Sequence, residues 1–259
     1  MTTGKVAAKA ARFWINQANV SGDLNDVSVS QEAETPDASN FTSNYRQMIK
    51  NSLRTWNATW AGFFNDIGST GSPGLENLLR PLVSGSVVMG CFWSGTSTSQ
   101  IGYEGAGVLQ SLEVGAPLAD MVTANATMTG SDWLSRDWVL AASIASGSTA
   151  ASTAACSVDM GASWSGTFYG VLRMPEGSGS GVAASVQAIV QHSGDDVTFA
   201  SLLTFTTIAL STTSSTFEVK SATGASRYIR AFYAVGASAV SGASPAASAV
   251  LFMTGGKAL

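Results

Sequence analysis

Apolar and polar residues alternate with a period of two in several segments of the chain, which is the pattern of a half-buried β-strand. The clearest case is 24–34, where Val27 and Val29 fall on one face. The opposite face carries the polar residues Ser28, Ser30, Glu32 and Glu34. Residues 55–64 alternate in the same way, with two tryptophans on one face and Thr55, Asn57 and Thr59 on the other. Both segments are therefore predicted to be strands with one polar face.

Further strand candidates are short and are separated by loops rich in Gly, Ser and Thr, which is typical of β-sandwiches. In the first half they are 11–18, 87–93 and 122–129. In the second half they are 167–173, 185–192, 197–205, 217–219, 227–234 and 247–253. The pattern predicts a fold that is mainly all-β.

One short helix is predicted within this β pattern, at 73–80. Ser72 can cap its first turn, and Pro73 suits the first helical position. Its leucines follow helical spacing, at Leu75, Leu78, Leu79 and Leu82. Pro81 argues that the helix ends just before it, since proline removes a backbone donor. We expect the leucines to pack this helix against a sheet.

The chain changes character near residue 140. Six of the seven tryptophans and the whole net charge of −4 belong to the first 138 residues. A stretch of small, uncharged residues follows, so we place a boundary near 138–150. The fold class predicted is therefore two β-sandwich domains, 1–140 and 141–259, of which the first carries the flanking helix.

Composition excludes several classes of function. Only 12% of residues are charged and the pI is about 4.9, so a broad basic surface for nucleic acid is absent. No run of about 18 apolar residues predicts a membrane span. Cys91 lies in an apolar strand and is expected to be a core residue. Gly102, Gly105 and Gly107 lack the strand-then-helix context of a phosphate loop. With a single histidine and no visible nucleophile–base pair, we expect no enzyme, cofactor or metal.

A few polar residues leave alternatives open. Asp195 and Asp196 could ligate calcium, although a hairpin turn is the favoured interpretation because one acidic pair supplies too few ligands. His192 ends a strand beside that turn and has no identifiable partner. Arg227 and Arg230 could bind a ligand, but surface pairing is favoured.

The polar faces of 24–34 and 55–59 also allow two interpretations. One is an ordinary solvent-exposed face of an antiparallel sheet. The other is the lining of a water-filled tube through which a polyanion passes. In that case repulsion between like charges would keep the passing polyanion from sticking.

Residues 11–66 resemble the opening of siphophage-type major tail (tail tube) proteins. The motifs that carry this resemblance are SGDLN at 21–25, the alternating strand 27–34, the stretch 35–41, the pair Tyr45-Arg46, and the strand 55–66 with GFF near its end. In the second half, VQHSGDDVTF at 190–199, LLTF at 202–205 and RYIRAFYAV at 227–235 resemble jelly-roll or Ig-like modules at the C-terminus of such proteins.

The resemblance implies a subunit of stacked, usually hexameric rings around a DNA channel, with the second domain outside. Residues 24–34 and 55–64 would line the lumen, and the loop 35–50 would reach a neighbouring subunit or ring. The loop residues implied in this contact are Asp37, Phe41, Tyr45 and Arg46. The partners implied are further copies of the chain, the tape measure, terminator and distal tail proteins, and double-stranded DNA that passes without specific binding. No membrane is involved, and the protein would be made in the host cytoplasm and reside in the virion tail.

Two other classes of function are also compatible with the sequence. The chain could be a capsid decoration or head–tail connector protein. Its second half could instead be a carbohydrate-binding module on the virion surface, with aromatic side chains that stack on sugars. The candidates for such stacking are Trp164, Tyr169, Tyr228 and Tyr233, and burial in the sandwich core is the competing interpretation for each.

Overall fold

The computed structural model describes residues 10–34, 37, 39, 54–64, 75–93, 99–116, 121–141, 157–174, 178–179, 184–210, 216–237, 247–248 and 252–259. Within these residues the chain is mainly β with one short α-helix, so the predicted mainly all-β fold class is confirmed. No helix in this part of the chain is long and apolar enough to cross a membrane.

The strands, in chain order, are β1 Arg12–Ile15, β2 Ala18–Asn19, β3 Leu24–Ala33, β4 Arg54–Phe63, β5 Ser86–Phe92, β6 Ile101–Gly115, β7 Thr123–Ala141, β8 Val158–Asp159, β9 Trp164–Met174, β10 Ser178–Gly179, β11 Ala184–Ser193, β12 Ala200–Thr204, β13 Ile208–Leu210, β14 Thr216–Ala225, β15 Tyr228–Ala237, β16 Ala247–Ser248 and β17 Phe252–Ala258. Each predicted strand corresponds to one or two of these. Strands β7 and β14 run well beyond the predicted bounds.

Strand β6 was not predicted, because its glycines interrupt the alternation that marks a strand. Two of these glycines are needed for close packing. A Cβ atom on Gly102 would overlap the carbonyl oxygen of Cys91 and the ring of Phe92. A Cβ atom on Gly107 would overlap the carbonyl oxygen of Thr129. These positions therefore allow neighbouring backbones to approach, as glycine does inside strands.

The helix α1 spans Leu75–Leu79 and is followed by a single 3-10 turn over Arg80–Leu82. The α-helical part ends before Pro81, as predicted, and the proline occupies the start of the 3-10 turn. Leu75 and Leu79 are fully buried, so the leucine pattern does mark the inward face. The predicted capping residues Ser72 and Pro73 lie outside the described residues.

The chain forms two compact units that interleave along the sequence. The first unit comprises Met1–Ser21, Val88–Gly105 and Leu134–Leu259. The second unit comprises Gly22–Val87 and Ala106–Trp133. The sequence predicted one cut near residue 140, and most of that boundary, 142–150, lies outside the described residues. The division into 1–140 and 141–259 stays a prediction.

The first unit contains a β-sandwich. One sheet has the order β14–β9–β17–β7–β6–β5–β1–β2, counting the portions of β5, β6 and β7 that belong to this unit. The other has the order β12–β11–β15–β8, with β13 paired to β11. Side chains from both sheets form one apolar core, which includes Leu140, Phe168, Leu172, Val190, Phe205, Ile229 and Met253. Strands β10 and β16 form a separate small pair.

The second unit contains a three-stranded antiparallel sheet in which β4 lies between β3 and the first part of β7. The middle strand β4 has one apolar face, where Trp56, Ala58 and Trp60 are each at most 4% exposed. Because side chains alternate along a strand, the intervening residues of β4 point to the opposite face. This second face is the one that carries the polar residues singled out in the sequence.

Candidate functional site

The sheet β3–β4–β7 brings the predicted polar residues together by its register. Across β3 and β4 the directly opposed pairs are Ser28 with Thr59, Ser30 with Asn57, and Glu32 with Thr55. Strand β7 adds a third residue to two of these pairs, with Thr127 opposite Thr59 and Thr129 opposite Asn57. Directly opposed residues of an antiparallel pair share a face. Six of the seven predicted residues therefore form one continuous polar surface, called the polar face below.

Most side chains of the polar face are exposed to solvent. Asn57 is half-buried, and its Oδ1 accepts a hydrogen bond from Thr129 Oγ1 at 2.9 Å. The seventh predicted residue, Glu34, is also exposed but follows the end of β3. In the structure these residues thus share a solvent-facing surface. That this surface lines a channel stays a prediction.

The polar face is acidic. Asp26 and Glu32 are exposed on β3, and no Lys or Arg occupies the same face of the three described strands. The middle of the face carries only hydroxyl and amide groups, from Ser28, Ser30 and Thr59 among others. Such a surface offers a polyanion no cation among the described residues, although the ring of Phe63, 38% exposed, lies on the same face at the end of β4.

The predicted inter-subunit loop is described only at one of its named residues. Asp37 is exposed, and its Oδ1 accepts a hydrogen bond from the backbone N–H of Ser39 at 2.8 Å. Phe41, Tyr45 and Arg46 lie outside the described residues. The role of this loop in contacts between subunits therefore stays a prediction.

Comparison with known proteins finds similarity at the level of structure. No protein-family model matches the chain. No curated protein matches it either. The solved structures that it resembles include the virion of a native gene transfer agent particle, with 16% identity, a TM-score of 0.39, and coverage of 51% of this chain and 98% of that one.

Two further similar structures come from SPP1. One is the tail tube, with 6% identity, a TM-score of 0.39, and coverage of 49% of this chain and 76% of that one. The other is the Dit protein, described as a hub adsorption apparatus in phages that infect Gram-positive hosts. It has 11% identity, a TM-score of 0.36, and coverage of 95% of this chain and 98% of that one.

The first unit holds a buried charged cluster that the sequence analysis missed. Arg173 Nη1 donates a hydrogen bond to Glu104 Oε1 at 2.5 Å, and Arg173 Nε donates to the carbonyl oxygen of Asn16 at 2.5 Å. Asp137 accepts a hydrogen bond from Ser135 Oγ. Glu104, Asp137 and Arg173 are each 0% exposed. The only sequence signal was a lone charge inside an otherwise apolar strand, as for Arg173 in VLRM.

Burial raises the pKa of both carboxyl groups in this cluster. For Asp137 the pKa lies well above the usual value because burial is reinforced by the charge of Glu104, although Ser135 and Arg173 act in the opposite direction. Arg173 pairs directly with Glu104, which favours the ionised form of that carboxyl. Two carboxylates and one guanidinium would leave an uncompensated buried charge. We infer that Asp137 is the protonated member.

The turn between β11 and β12 uses Asp195 as a backbone cap. Its Oδ1 accepts hydrogen bonds from the backbone N–H groups of Thr198 and Val197, both at 2.9 Å, and from Ser193 Oγ at 2.7 Å. These hydrogen bonds lower the pKa of Asp195 to about 2, and the bond from Thr198 has the largest effect. This geometry is that of the hairpin turn that the sequence favoured, whereas calcium binding stays untested.

The other candidate residues serve as local structural contacts. His192 Nδ1 accepts a hydrogen bond from the backbone N–H of Ser226 at 3.0 Å. Arg227 makes two hydrogen bonds to Asp159, at 2.8 and 2.7 Å, which lower the pKa of Asp159 to about 2. Arg230 Nε donates to Gln191 Oε1 at 2.9 Å. Arg227 therefore forms the surface pair that was favoured, whereas Arg230 is half-buried and its guanidinium also lies 3.7 Å from the ring centre of Phe199.

The aromatic residues considered for sugar stacking differ in accessibility. Tyr233 is only 2% exposed and belongs to the sandwich core. The ring of Tyr228 is covered by the guanidinium of Arg227 at 5.0 Å. Tyr169 is half-buried. Trp164 is half-buried as well, and its Nε1 donates to the carbonyl oxygen of Thr167 at 3.2 Å.

Proposed function

We propose that the protein is a structural subunit of the tail tube of a tailed bacteriophage or a related particle. It would reside in the virion tail and act without catalysis. The proposal starts from the resemblance of residues 11–66 to siphophage major tail proteins. The single observation that carries it further is the polar face, where the residues expected in the lumen lie together on one exposed side of β3–β4–β7.

A channel for DNA requires a wall that does not bind phosphate. The polar face meets this requirement because its charged residues, Asp26 and Glu32, are acidic and its centre is hydroxyl-rich. Repulsion between carboxylates and phosphates would keep the DNA mobile along the channel. The buried tryptophans on the opposite side, Trp56 and Trp60, would anchor the lining to the body of the subunit.

Ring assembly would also satisfy the open edge of this sheet. Among the described strands, β3 pairs only with β4, so the outer edge of β3 has no neighbour. Exposed edges promote pairing with other chains, and closing the sheet across identical subunits removes them. We propose hexameric rings that stack head to tail into a tube, since identical heterologous contacts generate such assemblies.

The proposal can be tested with the purified protein by negative-stain electron microscopy and light scattering at high concentration. Hollow tubes or stacked rings would support it. A particle in which the protein is present as a single ring would favour the connector interpretation. Attachment to the outside of a capsid would favour the decoration interpretation.

A second experiment addresses the two glutamates predicted in the lumen, Glu32 on the polar face and Glu34 just after the end of β3. Exchanging Glu32 and Glu34 for lysine should leave tails assembled but reduce DNA delivery, because two cations per subunit would retain the phosphate backbone. The matched control exchanges Asp132, an exposed acidic residue on the opposite face of β7, and Asp196, an exposed acidic residue in the turn after β11, for lysine. Equal infectivity of both double variants with intact tails would contradict the assignment of the polar face to the lumen.

A further inference from the structure

Two like charges face each other directly across strands β7 and β17 in the first unit. Arg136 is paired in register with Lys257. Like charges at opposed positions destabilise a sheet, because their side chains start only about 5 Å apart. Within the described part of the chain, neither cation forms an ion pair with a carboxylate. Such a local violation in a chain with few charges points to a function rather than to stability.

Aromatic rings hold these two cations in place. The guanidinium of Arg136 lies 5.8 Å from the ring centre of Trp138, and Lys257 Nζ lies 5.7 Å from the same ring. Lys257 Nζ is also 5.4 Å from the ring centre of Trp164 and donates to the carbonyl oxygen of Met160 at 3.3 Å. Cation–π contacts of this kind orient a cation without neutralising its charge.

The second indole, that of Trp164, lies next to the cations and is the more accessible of the two rings. Trp164 is half-buried, whereas Trp138 is only 7% exposed. A Cβ atom on Gly166 would lie 2.9 Å from Trp164 Cε2 and Cζ2, so the indole lies close against this glycine, which fixes its orientation. The part of such an aromatic side chain that stays accessible is suited to packing against the apolar side of a ligand ring.

The neighbouring carboxylates are already engaged. Asp159, next to Met160, is held by Arg227 through two hydrogen bonds. Asp137 lies beside Arg136 in sequence, but it points to the opposite face of β7 and is fully buried. The positive charge of Arg136 and Lys257 is therefore uncompensated by the described residues around it.

We propose that Arg136, Lys257 and Trp164 form a binding site for an acidic saccharide, a sugar ring that carries a carboxylate, phosphate or sulfate group. The anionic group would bridge Arg136 and Lys257 and relieve their repulsion, while the sugar ring would pack against the accessible part of the Trp164 indole. Two cations and one ring match one or two sugar units. A nucleic-acid groove instead needs a row of cations along several phosphates. This inference does not depend on the proposed role in a tail tube.

The test is a titration of the full-length protein by isothermal calorimetry at low salt. The probes are three acidic tetrasaccharides, which are hyaluronan, heparin and a phosphorylated mannan fragment, with neutral chitotetraose and the oligonucleotide dT4 for comparison. At least one acidic probe should bind more tightly than chitotetraose and dT4. Arg136→Gln and Lys257→Gln should each weaken that binding about tenfold, since each removes a hydrogen bond to a charged group. Arg12→Gln, which removes an exposed cation elsewhere in this unit, should leave binding unchanged.

Thermal unfolding separates binding from a structural role of the same residues. Without ligand, Arg136→Gln should keep or raise the melting temperature because it relieves the repulsion with Lys257. The acidic saccharide that binds should raise the melting temperature of the wild-type protein but not that of the double variant. The proposal is wrong if no acidic probe binds better than chitotetraose, or if dT4 binds as tightly. It is also wrong if Arg136→Gln lowers the melting temperature and leaves binding intact.

Discussion

Replacing Glu104 by glutamine should destabilise the protein far more than replacing Asp137 by asparagine. Glu104→Gln removes the ionised partner of Arg173 in a cluster whose charged members are all 0% exposed. Removing one partner of a buried pair costs about 3–5 kcal/mol, because the remaining charge is left uncompensated. Asp137→Asn instead replaces a carboxyl that we infer to be protonated with a neutral group of the same shape, so it should cost less than about 1 kcal/mol.

The pH dependence of unfolding provides the second half of this prediction. In the unfolded chain Asp137 loses its proton near the ordinary value of 3.8, whereas in the native state its pKa is well above that value. Between these two pKa values the native state binds more protons than the unfolded state, so this group makes stability fall as the pH rises. Asp137→Asn removes that slope, and the variant should gain stability relative to the wild type between pH 4 and neutral pH.

The assay is urea unfolding followed by tryptophan fluorescence and circular dichroism at several pH values. Asp159→Asn serves as the matched control, because its ion pair with Arg227 lies on the surface, where such pairs contribute little. If Asp137→Asn lost as much stability as Glu104→Gln and kept the wild-type pH slope, Asp137 would be ionised in the native state. The charge-counting argument for the cluster would then be refuted.

Three further predictions follow from single contacts. Gly256→Ala should strongly destabilise or unfold the protein in urea titrations, because a Cβ atom there overlaps Asp137 Oδ1 and the carbonyl oxygen of Arg136. Gly194→Ala is the control, since a Cβ atom at Gly194 meets no atom within 4 Å and the variant should be tolerated. The Cys91 thiol, 1% exposed with its pKa raised to about 12 by burial, should resist iodoacetamide at pH 8 until the protein is denatured, as peptide mass spectrometry would reveal. The pKa of Asp195 is lowered to about 2, so its carboxylate stabilises the native state above pH 3.8, and this contribution should be lost as the pH falls towards 2. Asp195→Asn should therefore abolish this part of the acid sensitivity of the melting temperature.

The polar face could be predicted because it depends only on alternation within two strands. Once Val27 and Trp60 point inward, the period of two sends Ser28 and Thr59 outward, and antiparallel pairing of β3 with β4 brings them together. Strand β6 could not be predicted in this way, because glycines replace the side chains whose alternation would mark it. In β6 glycine is required because a neighbouring backbone leaves no room for a Cβ atom, and that neighbour is known only from the folded structure.

The buried cluster and the division of the chain escaped prediction for a different physical reason. Glu104 and Arg173 are 69 residues apart in sequence, and they meet because the order β9–β17–β7–β6 places their strands in one sheet. Such non-local pairing also makes the two units interleave, so a shift in composition near residue 140 does not mark the edge of either unit. Local patterns specify faces of strands, whereas the order of strands in a sheet decides which faces meet.

The sparse charge of this chain makes the placement of each charged residue informative. Several charged groups that the structure describes have a local counterpart: Arg173 with Glu104, Arg227 with Asp159, and Lys220 with Glu218. In two places, charges of the same sign share one face without an ion-pair partner among the described residues: Asp26 and Glu32 on the polar face, and Arg136 with Lys257. Uncompensated charge of one sign lowers the stability of a folded chain, so it is retained most readily where it acts on something outside the chain. The opposite signs of the two places therefore suggest opposite tasks, one that keeps an anion away and one that holds an anion.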